Sequence, residues 1–308
     1  MTSAPPSWLA VIPARGGSKG IPRKNVKLFL GKPLLAWTIE TAKASGTFSR
    51  ILISTDDQAI AQIATQHGAE APFLRPATLA QDESPTDAAI AHAVRWLQEQ
   101  GEPVPPAVMV LEPTSPGRRP WHVREAAALL AREDVDSVAG ISETPHHYAA
   151  VKLLQRRDDG TILGIDGTPA RRMIHRRQDL PVSYAFNSLI FACRTALLLQ
   201  EPPTLWGDRV LGYLVDQKYN LDLDRPEDWE LAEDRFRRLV QEDTAAAAKR
   251  AYANTLKARY GDVQAGLTKE HGTGWRCACE QDATLSCGPA LVDCLERHGR
   301  LTTQGGAP

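Results

Sequence analysis

Short apolar runs alternate with segments of helical periodicity over the first 240 residues of this chain. The runs that predict strands are residues 9–12, 51–54, 107–111, 137–141, 188–193 and 210–215. The segments that predict helices are residues 34–45, 58–67, 86–99, 120–132, 194–199 and 226–240. Such alternation predicts an α/β fold, in which a mostly parallel twisted sheet carries helices on both faces. Because ligands of such sheets bind at the carboxyl ends of the strands, we expect the loops after the first three strands to share one crevice.

Composition narrows the class of protein. The apolar runs are far shorter than the ~18 residues that span a bilayer, and no basic-then-apolar leader precedes Trp8. The chain has five cysteines, an odd number, which argues against a secreted disulfide framework. A formal net charge of -1 argues against bulk nucleic-acid binding. We therefore expect a cytoplasmic enzyme with neither nucleic acid nor membrane as a partner.

The composition changes near residue 242, which predicts a domain boundary. Residues 1–243 are expected to form one domain, and residues 244–308 a C-terminal extension that is helical at first and then polar. The extension contains Cys277, Cys279, Cys287 and Cys294. Their spacing lacks the paired C-x-x-C of zinc ribbons, which favours reduced thiols over a metal site. The sequence assigns no function to this extension.

A loop rich in glycine and basic residues follows the first predicted strand. Residues 13–27 contain five basic side chains and no acidic one, interleaved with Gly16, Gly17 and Gly20. Glycines allow backbone N–H groups to approach a ligand closely, and successive amides form a concave anion site. The loop matches neither the Walker pattern nor G-x-G-x-x-G. The spacing therefore predicts only that the loop binds a polyphosphate.

Phosphoryl transfer usually also requires Mg²⁺, held by one or two carboxylates. Asp222 and Asp224 are the best candidates, because in an extended segment they point to one face, roughly 7 Å apart. Pro226, at a first helical position, would then begin the next helix. The alternative is that Asp224 caps that helix and Asp222 is solvated. In the stretch at 54–57, Thr55 or Asp56 is expected to cap the following helix, and the alternative is a nucleotide-facing function.

Taken together, these segments resemble the acylneuraminate cytidylyltransferase family, the CMP-sialic acid synthetases and their bacterial relatives. The motifs that carry the resemblance are IPARGGSKGIPRKN (12–25), ILISTDD (51–57), FLRPATLAQDESPTDAAI (73–90), LEPTSP (111–116) and LDLDRPEDWELAE (221–233). The match covers about residues 8–240. It implies a Rossmann-like nucleotidyltransferase fold, a homodimer, Mg²⁺ as cofactor, and transfer of CMP from CTP to the anomeric hydroxyl of an acidic 2-keto sugar, with release of pyrophosphate.

The resemblance also implies functions for individual residues. The nucleotide-binding residues would be Arg15, Gly16, Gly17, Ser18, Lys24, Asn25, Arg75 and Thr86. Arg15, Lys24 and Asp224 would be catalytic, and Asp222 with Asp224 would bind the metal. The acceptor-binding residues would be Glu112, Thr114, Lys152, Tyr184 and Asn187.

The departures from the family pattern gather on the acceptor side. Family members often carry glutamine where this chain has Glu112, and an arginine two residues before the asparagine where it has Ala185. A glutamate would repel an acceptor carboxylate unless it binds an amino or hydroxyl group. The arginines at 171, 172, 176 and 177 could supply the missing positive charge or form a solvated loop, and His146 and His147 could face the sugar or the solvent. The acceptor therefore stays open, and a different acidic acceptor or a sugar phosphate is the alternative.

Overall fold

The computed structural model describes residues 8–174 and 176–260, with side chains as far as residue 247. Six strands form the main sheet: β1 (Trp8–Pro13), β4 (Phe48–Ser54), β5 (Ala107–Val110), β6 (Ser137–Glu143), β9 (Tyr184–Arg194) and β10 (Val210–Leu214). Two small hairpins are added: β2 (Leu28–Phe29) with β3 (Lys32–Pro33), and β7 (Leu154–Arg156) with β8 (Ile162–Gly164). The helices are α1 (Leu34–Ser45), α2 (Gln58–Gln66), α3 (Thr86–Glu99), α4 (Pro120–Leu130), α5 (Thr195–Leu198) and α6 (Pro226–Tyr260).

The strand order in the main sheet is β10-β6-β9-β5-β1-β4. β1 pairs in parallel with β4 and β5, and β10 pairs in parallel with β6. β9 runs antiparallel between β5 and β6. The mostly parallel α/β sheet predicted from the sequence is thus confirmed. Because β9 runs in the opposite direction, its first residues lie at the same sheet edge as the last residues of β5 and β6.

Both faces of the sheet are covered, which explains why β1 is apolar at consecutive positions. Ala10 and Ile12 pack in one core with α1 and α4, whereas Leu9 and Val11 pack in a second core with α3. All four of these β1 side chains have no exposed surface. The central strand is therefore fixed on both sides, and the loop that follows it starts from a rigid base.

All six predicted strands and six predicted helices are present, with shifted ends. β9 begins four residues earlier than predicted, and α6 continues without a break through the alanine-rich segment that follows residue 240. The described residues up to Leu239 form one compact unit, and a second unit begins at Val240, of which only the helical residues 240–260 are described. The predicted boundary at 243/244 stays a prediction, and the four cysteines at 277–294 lie outside the described residues. No helix in the described part of the chain has the length and apolarity needed to cross a membrane.

Candidate active site

The glycine-rich loop is fastened to the ends of β1 and β4. Ala14 N donates to Ser54 O (2.9 Å), and Gly16 N donates to the Asp56 carboxylate (2.8 Å). Within the loop, the buried Asn25 side chain donates to Arg15 O (3.0 Å). The first two strand ends therefore form one crevice, as predicted. Asn25, predicted to lie near the nucleotide, closes the loop on itself.

The helix cap in the neighbouring acidic stretch differs from the prediction. Asp57, and not Thr55 or Asp56, caps α2, with its carboxylate accepting from Ala59 N (2.8 Å) and Ile60 N (3.1 Å). The expectation that Thr55 or Asp56 is the cap was wrong, because the extended backbone of Asp57 makes it the residue that precedes the first turn. Asp56 is left to hold the glycine-rich loop.

Lys24 joins the glycine-rich loop to the acidic pair. Its ammonium donates to Leu223 O (2.7 Å) and lies 3.0 Å from the Asp224 carboxylate. Gly20 packs equally closely, since a Cβ at this position would lie 2.2 Å from Asp224 O. At Gly17 a Cβ would meet nothing within 4 Å. The cationic loop and the acidic segment therefore form a single site, although they lie about two hundred residues apart in sequence.

Asp222 and Asp224 lie in an irregular segment between a short 3-10 turn and α6. α6 begins at Pro226 as predicted, and the Asp228 carboxylate accepts from Arg225 N (2.9 Å) at its start. The Asp224 side chain is 68% exposed and pairs with Lys24. Partial desolvation and the charge of Asp224 raise the pKa of Asp222. The two acids thus repel each other beside the cationic loop.

Glu112, after β5, faces the same acidic pair. Its partial burial raises the pKa of the carboxyl group, Arg118 opposes this shift, and the charges of Asp222 and Asp224 add to it. Thr114 follows in the same turn, where its carbonyl accepts from Leu223 N (3.2 Å). The third loop therefore joins the crevice, as the sequence predicted.

Arg118 is a residue that the sequence did not single out. It is fully buried, and its guanidinium donates to Glu112 O (2.9 Å), Ser188 O (3.2 Å) and Leu189 O, and to Thr38 Oγ1 (3.2 Å). Burial lowers the pKa of Arg118 to about 9. One cation thus ties the turn after β5 to β9 and α1.

Arg15 and Lys19, on the glycine-rich loop, both pair with Asp82 from the loop that precedes α3, each at 2.5 Å. Arg75 is buried at the base of that same loop and donates to Ser54 Oγ (3.0 Å), Ser54 O and Leu79 O (3.5 Å). Desolvation lowers the pKa of Arg75. Of the other predicted nucleotide residues, Ser18 is partly buried in the glycine-rich loop and Thr86 is exposed at the start of α3.

A cavity of about 750 Å³ lies farther along the same sheet edge. Its lining comes from the ends of β6 and β10, the segment before β9 and the turn after β6, and includes Glu143, His146, Arg177 and Asp216. None of the five predicted acceptor residues lines it. Arg177 and His146, which the sequence left open, both line the cavity, and desolvation followed by the charge of Arg177 lowers the pKa of His146.

The predicted acceptor residues divide into buried and exposed groups. Asn187 is buried and bound within the sheet, since its amide donates to Ser142 Oγ (3.0 Å) and its oxygen accepts from Leu189 N (3.2 Å). Tyr184 is 52% exposed, and Lys152 lies in a 3-10 turn before β7. The structure thus brings Glu112 and Thr114 to the acidic pair. Lys152 lies on the segment that connects β6 with β9, and Tyr184 is the first residue of β9.

Comparison with known proteins identifies the relatives of this chain. A family model described as Cytidylyltransferase matches residues 9–116. The N-acylneuraminate cytidylyltransferase of Streptococcus agalactiae is 30% identical over 72% of this chain, and the chain spans about half of that relative, 51%. The CMP-N,N'-diacetyllegionaminic acid synthase of Legionella pneumophila is 32% identical over 73% of this chain and 94% of its own length.

Among solved structures, CMP:2-keto-3-deoxy-manno-octonic acid synthetase complexed with CTP aligns with a TM-score of 0.58 at 16% identity, over 75% of this chain and 99% of that one. At this identity the likeness supports the fold alone. The fold is the predicted Rossmann-like nucleotidyltransferase fold. The match to nearly the whole length of the Legionella relative, at 32% identity, supports membership of a family as well as the fold. The chain belongs to the acylneuraminate cytidylyltransferase family.

Proposed function

We propose that this chain transfers CMP from CTP to the anomeric hydroxyl of a sialic-type 2-keto sugar acid and releases pyrophosphate. The observation that carries the proposal is the Lys24–Asp224 pair, which puts a cationic loop and an acidic pair into one site. The relatives support the donor and the acceptor class, because they are named as a cytidylyltransferase for N-acylneuraminate and a synthase for a CMP-linked legionaminic acid.

The triphosphate is proposed to bind along the glycine-rich loop. Arg15, Ser18 and Lys24 would contact phosphate oxygens together with amides of Gly16 and Gly17. Arg75, Thr86 and Asn25 are proposed to lie on the side of the cytosine and ribose. The buried hydrogen bonds of Arg75 and Asn25 suit residues that shape this side of the crevice and hold its loops.

The residues present fit Mg²⁺. Asp222 and Asp224 offer hard carboxylate oxygens. Desolvation, and then the charge of Asp224, raise the pKa of Asp222, and a bound cation would relieve the repulsion between the two acids. Within the described residues no group of three or more His, Cys, Asp or Glu side chains is arranged to hold a metal. Magnesium at a nucleotide needs no such group, because water and phosphate oxygens complete its shell. Bound here, the ion would polarise the phosphate and lower the pKa of the attacking hydroxyl.

The chemistry then follows from charge and position. The anomeric hydroxyl releases its proton to solvent and its oxygen forms a bond to the α-phosphorus. The bond from that phosphorus to the bridging oxygen breaks, so that pyrophosphate leaves with the electron pair. Arg15 and Lys24 would neutralise the charge that develops on the leaving group, assisted by loop amides. Such transfer depends mainly on positioning and electrostatics. Loss of one charged donor is expected to cost about 10²–10³ in rate.

The acceptor is proposed to bind between the turn after β5 and the start of β9. Glu112 would accept a hydrogen bond from a hydroxyl or amino group of the sugar, and Thr114 and Asn187 would shape the floor of the site. Lys152 would contribute from the segment that connects β6 with β9, and Tyr184 from the first position of β9. Arg177 lines the adjacent cavity and would supply the positive charge that an acid requires, and His146 lines the same cavity.

We further propose that the protein is a cytoplasmic homodimer. The segment between β6 and β9 and the first residues of β9 expose large apolar side chains, among them Tyr148 (63%), Val182 (61%) and Phe186 (65%). Monomeric proteins rarely leave such side chains exposed in one region, which supports a second copy as the covering surface. Size-exclusion chromatography coupled to light scattering would give twice the mass of the chain. The mass of a monomer would contradict the dimer.

Pyrophosphate release tests the activity. The protein would be incubated with CTP, Mg²⁺ and a panel containing N-acetylneuraminic, legionaminic and pseudaminic acids and a hexose 1-phosphate. We expect release with at least one of the acids and none with CTP alone. Release with the sugar phosphate and with none of the acids would overturn the proposed acceptor class. No release with any acceptor would contradict the transferase itself.

A further inference from the structure

Asp82 occupies the cationic part of the glycine-rich loop. One carboxylate oxygen lies 2.5 Å from Arg15 Nη1, and the other lies 2.5 Å from Lys19 Nζ. These two hydrogen bonds, from Lys19 and then Arg15, lower the pKa of Asp82, so the carboxylate is charged at neutral pH. Gly16 N is occupied in a similar way by the Asp56 carboxylate (2.8 Å). Carboxylates therefore stand where the loop offers its donors to an anion.

The loop at 76–85 holds Asp82 in place. It is closed by Leu79 N donating to Pro76 O (2.9 Å), by Ser84 Oγ donating to Thr78 O (3.0 Å) and by Gln81 N donating to Ser84 Oγ (3.1 Å). Arg75 anchors its base. Asp82 thus projects from a turn that is held by its own hydrogen bonds. These bonds support the position of Asp82 opposite the glycine-rich loop.

A bound triphosphate and Asp82 would compete for Arg15 and Lys19, although each cation has further N–H donors. Each phosphate oxygen that approaches Arg15 or Lys19 meets a carboxylate of the same sign, and like charges at this distance repel. The side chains of Arg15, Lys19 and Asp82 are 33%, 77% and 37% exposed. Exposed ion pairs of this kind are weak, so a polyphosphate can displace the carboxylate at a modest cost.

We propose that Asp82 is a positioning residue that competes with the polyphosphate of the proposed reaction. It keeps Arg15 and Lys19 extended over the site while no nucleotide is bound, yields them to the triphosphate, and takes them back as pyrophosphate leaves. The inference rests on the proposed function, since it presumes that these cations bind phosphate. It implies that Asp82 weakens the binding of every polyphosphate and thereby assists the release of product.

Calorimetric titration with inorganic pyrophosphate, without metal or sugar, tests this competition. Wild type, Asp82→Asn and the matched control Glu83→Gln would be compared, because Glu83 is an exposed acid on the same loop. We expect Asp82→Asn to bind pyrophosphate about three- to tenfold more tightly, the range that two exposed ion pairs allow, and Glu83→Gln to equal wild type. A residue with a merely structural function would lose affinity on substitution and would not gain it.

Two results would overturn the competition while leaving the phosphate site intact: equal affinity in all three proteins, or an equal gain in both variants. The second result would indicate a general effect of net charge. If none of the three proteins bound pyrophosphate, the phosphate site of the proposed function would fail, and the inference with it. The two failures are therefore distinguishable.

Discussion

The ammonium of Lys24 lies 3.0 Å from the Asp224 carboxylate and 2.7 Å from Leu223 O, although the residues are about two hundred positions apart in the chain. This contact aligns the loop that follows β1 with the segment that precedes α6. Gly20 repeats the contact through its backbone, against Asp224 O. The site is therefore expected to be sensitive to the spacing between these two segments.

Gly20→Ala is expected to reduce kcat/KM about a hundredfold. The added Cβ would lie 2.2 Å from Asp224 O, so one backbone must shift, and a displacement of about 1 Å at a catalytic site costs roughly 10² in rate. Gly17→Ala is the matched control, since its Cβ would meet nothing within 4 Å. Steady-state kinetics with CTP and the acid that proves active would measure both. Equal activity in the two variants would show that the close packing of Gly20 is dispensable.

Asp224→Asn is expected to reduce magnesium-dependent turnover by about 10²–10³ while the fold is retained. The substitution removes one proposed metal ligand, and because the side chain is 68% exposed its loss should hardly change the thermal midpoint. Glu227→Gln, an exposed acid three residues along, serves as control. The assay is the rate of pyrophosphate release against magnesium concentration. Turnover like that of wild type would remove Asp224 from the metal site.

The fold was predictable because its elements carry local signals. A strand buried on both faces, such as β1, is apolar at every position, and α1 and α3 show helical periodicity along their whole length. The hairpins β2–β3 and β7–β8 have strands of only two or three residues, too short for any periodicity to show. The first residues of β9 were not predicted as a strand for a related reason. They are exposed, and a strand end that leaves the core loses its apolar pattern.

The candidate site was predictable where one contiguous segment carries several of its residues, as the glycine-rich loop does. Asp82 and Arg118 were missed because their significance lies in their partners. Asp82 meets Arg15 across 67 positions, and Arg118 meets Leu189 across 71. No spacing rule connects such residues. The cap of α2 was predicted one or two residues too early, because Thr55, Asp56 and Asp57 all have side chains that can cap a helix. Only the backbone conformation selects Asp57.

Arg118→Met is expected to destabilise the fold by about 3–5 kcal/mol. The substitution leaves the carbonyls of Glu112, Ser188 and Leu189 without their buried donor, and methionine cannot replace it. Urea denaturation followed by circular dichroism would measure the free energy of unfolding. Arg124→Met, at an exposed position of α4, should change this free energy by less than about 0.5 kcal/mol. A loss below about 1 kcal/mol in Arg118→Met would show that water replaces the guanidinium.

Cys193 is expected to resist alkylation in the folded protein at pH 8. It lies fully buried in β9, and desolvation, with a smaller contribution from the charge of Asp87, raises the pKa of its thiol to about 12. Only the thiolate reacts, so at pH 8 roughly one molecule in 10⁴ would be reactive, against about a quarter for an ordinary thiol. The sign follows directly: because the shift is upward, reactivity should increase with pH toward that value as long as the protein stays folded. Mass spectrometry of the peptide that contains Cys193, after iodoacetamide treatment of native and urea-unfolded protein, measures the protection. Equal labelling of the two samples at pH 8 would contradict both the burial and the raised pKa.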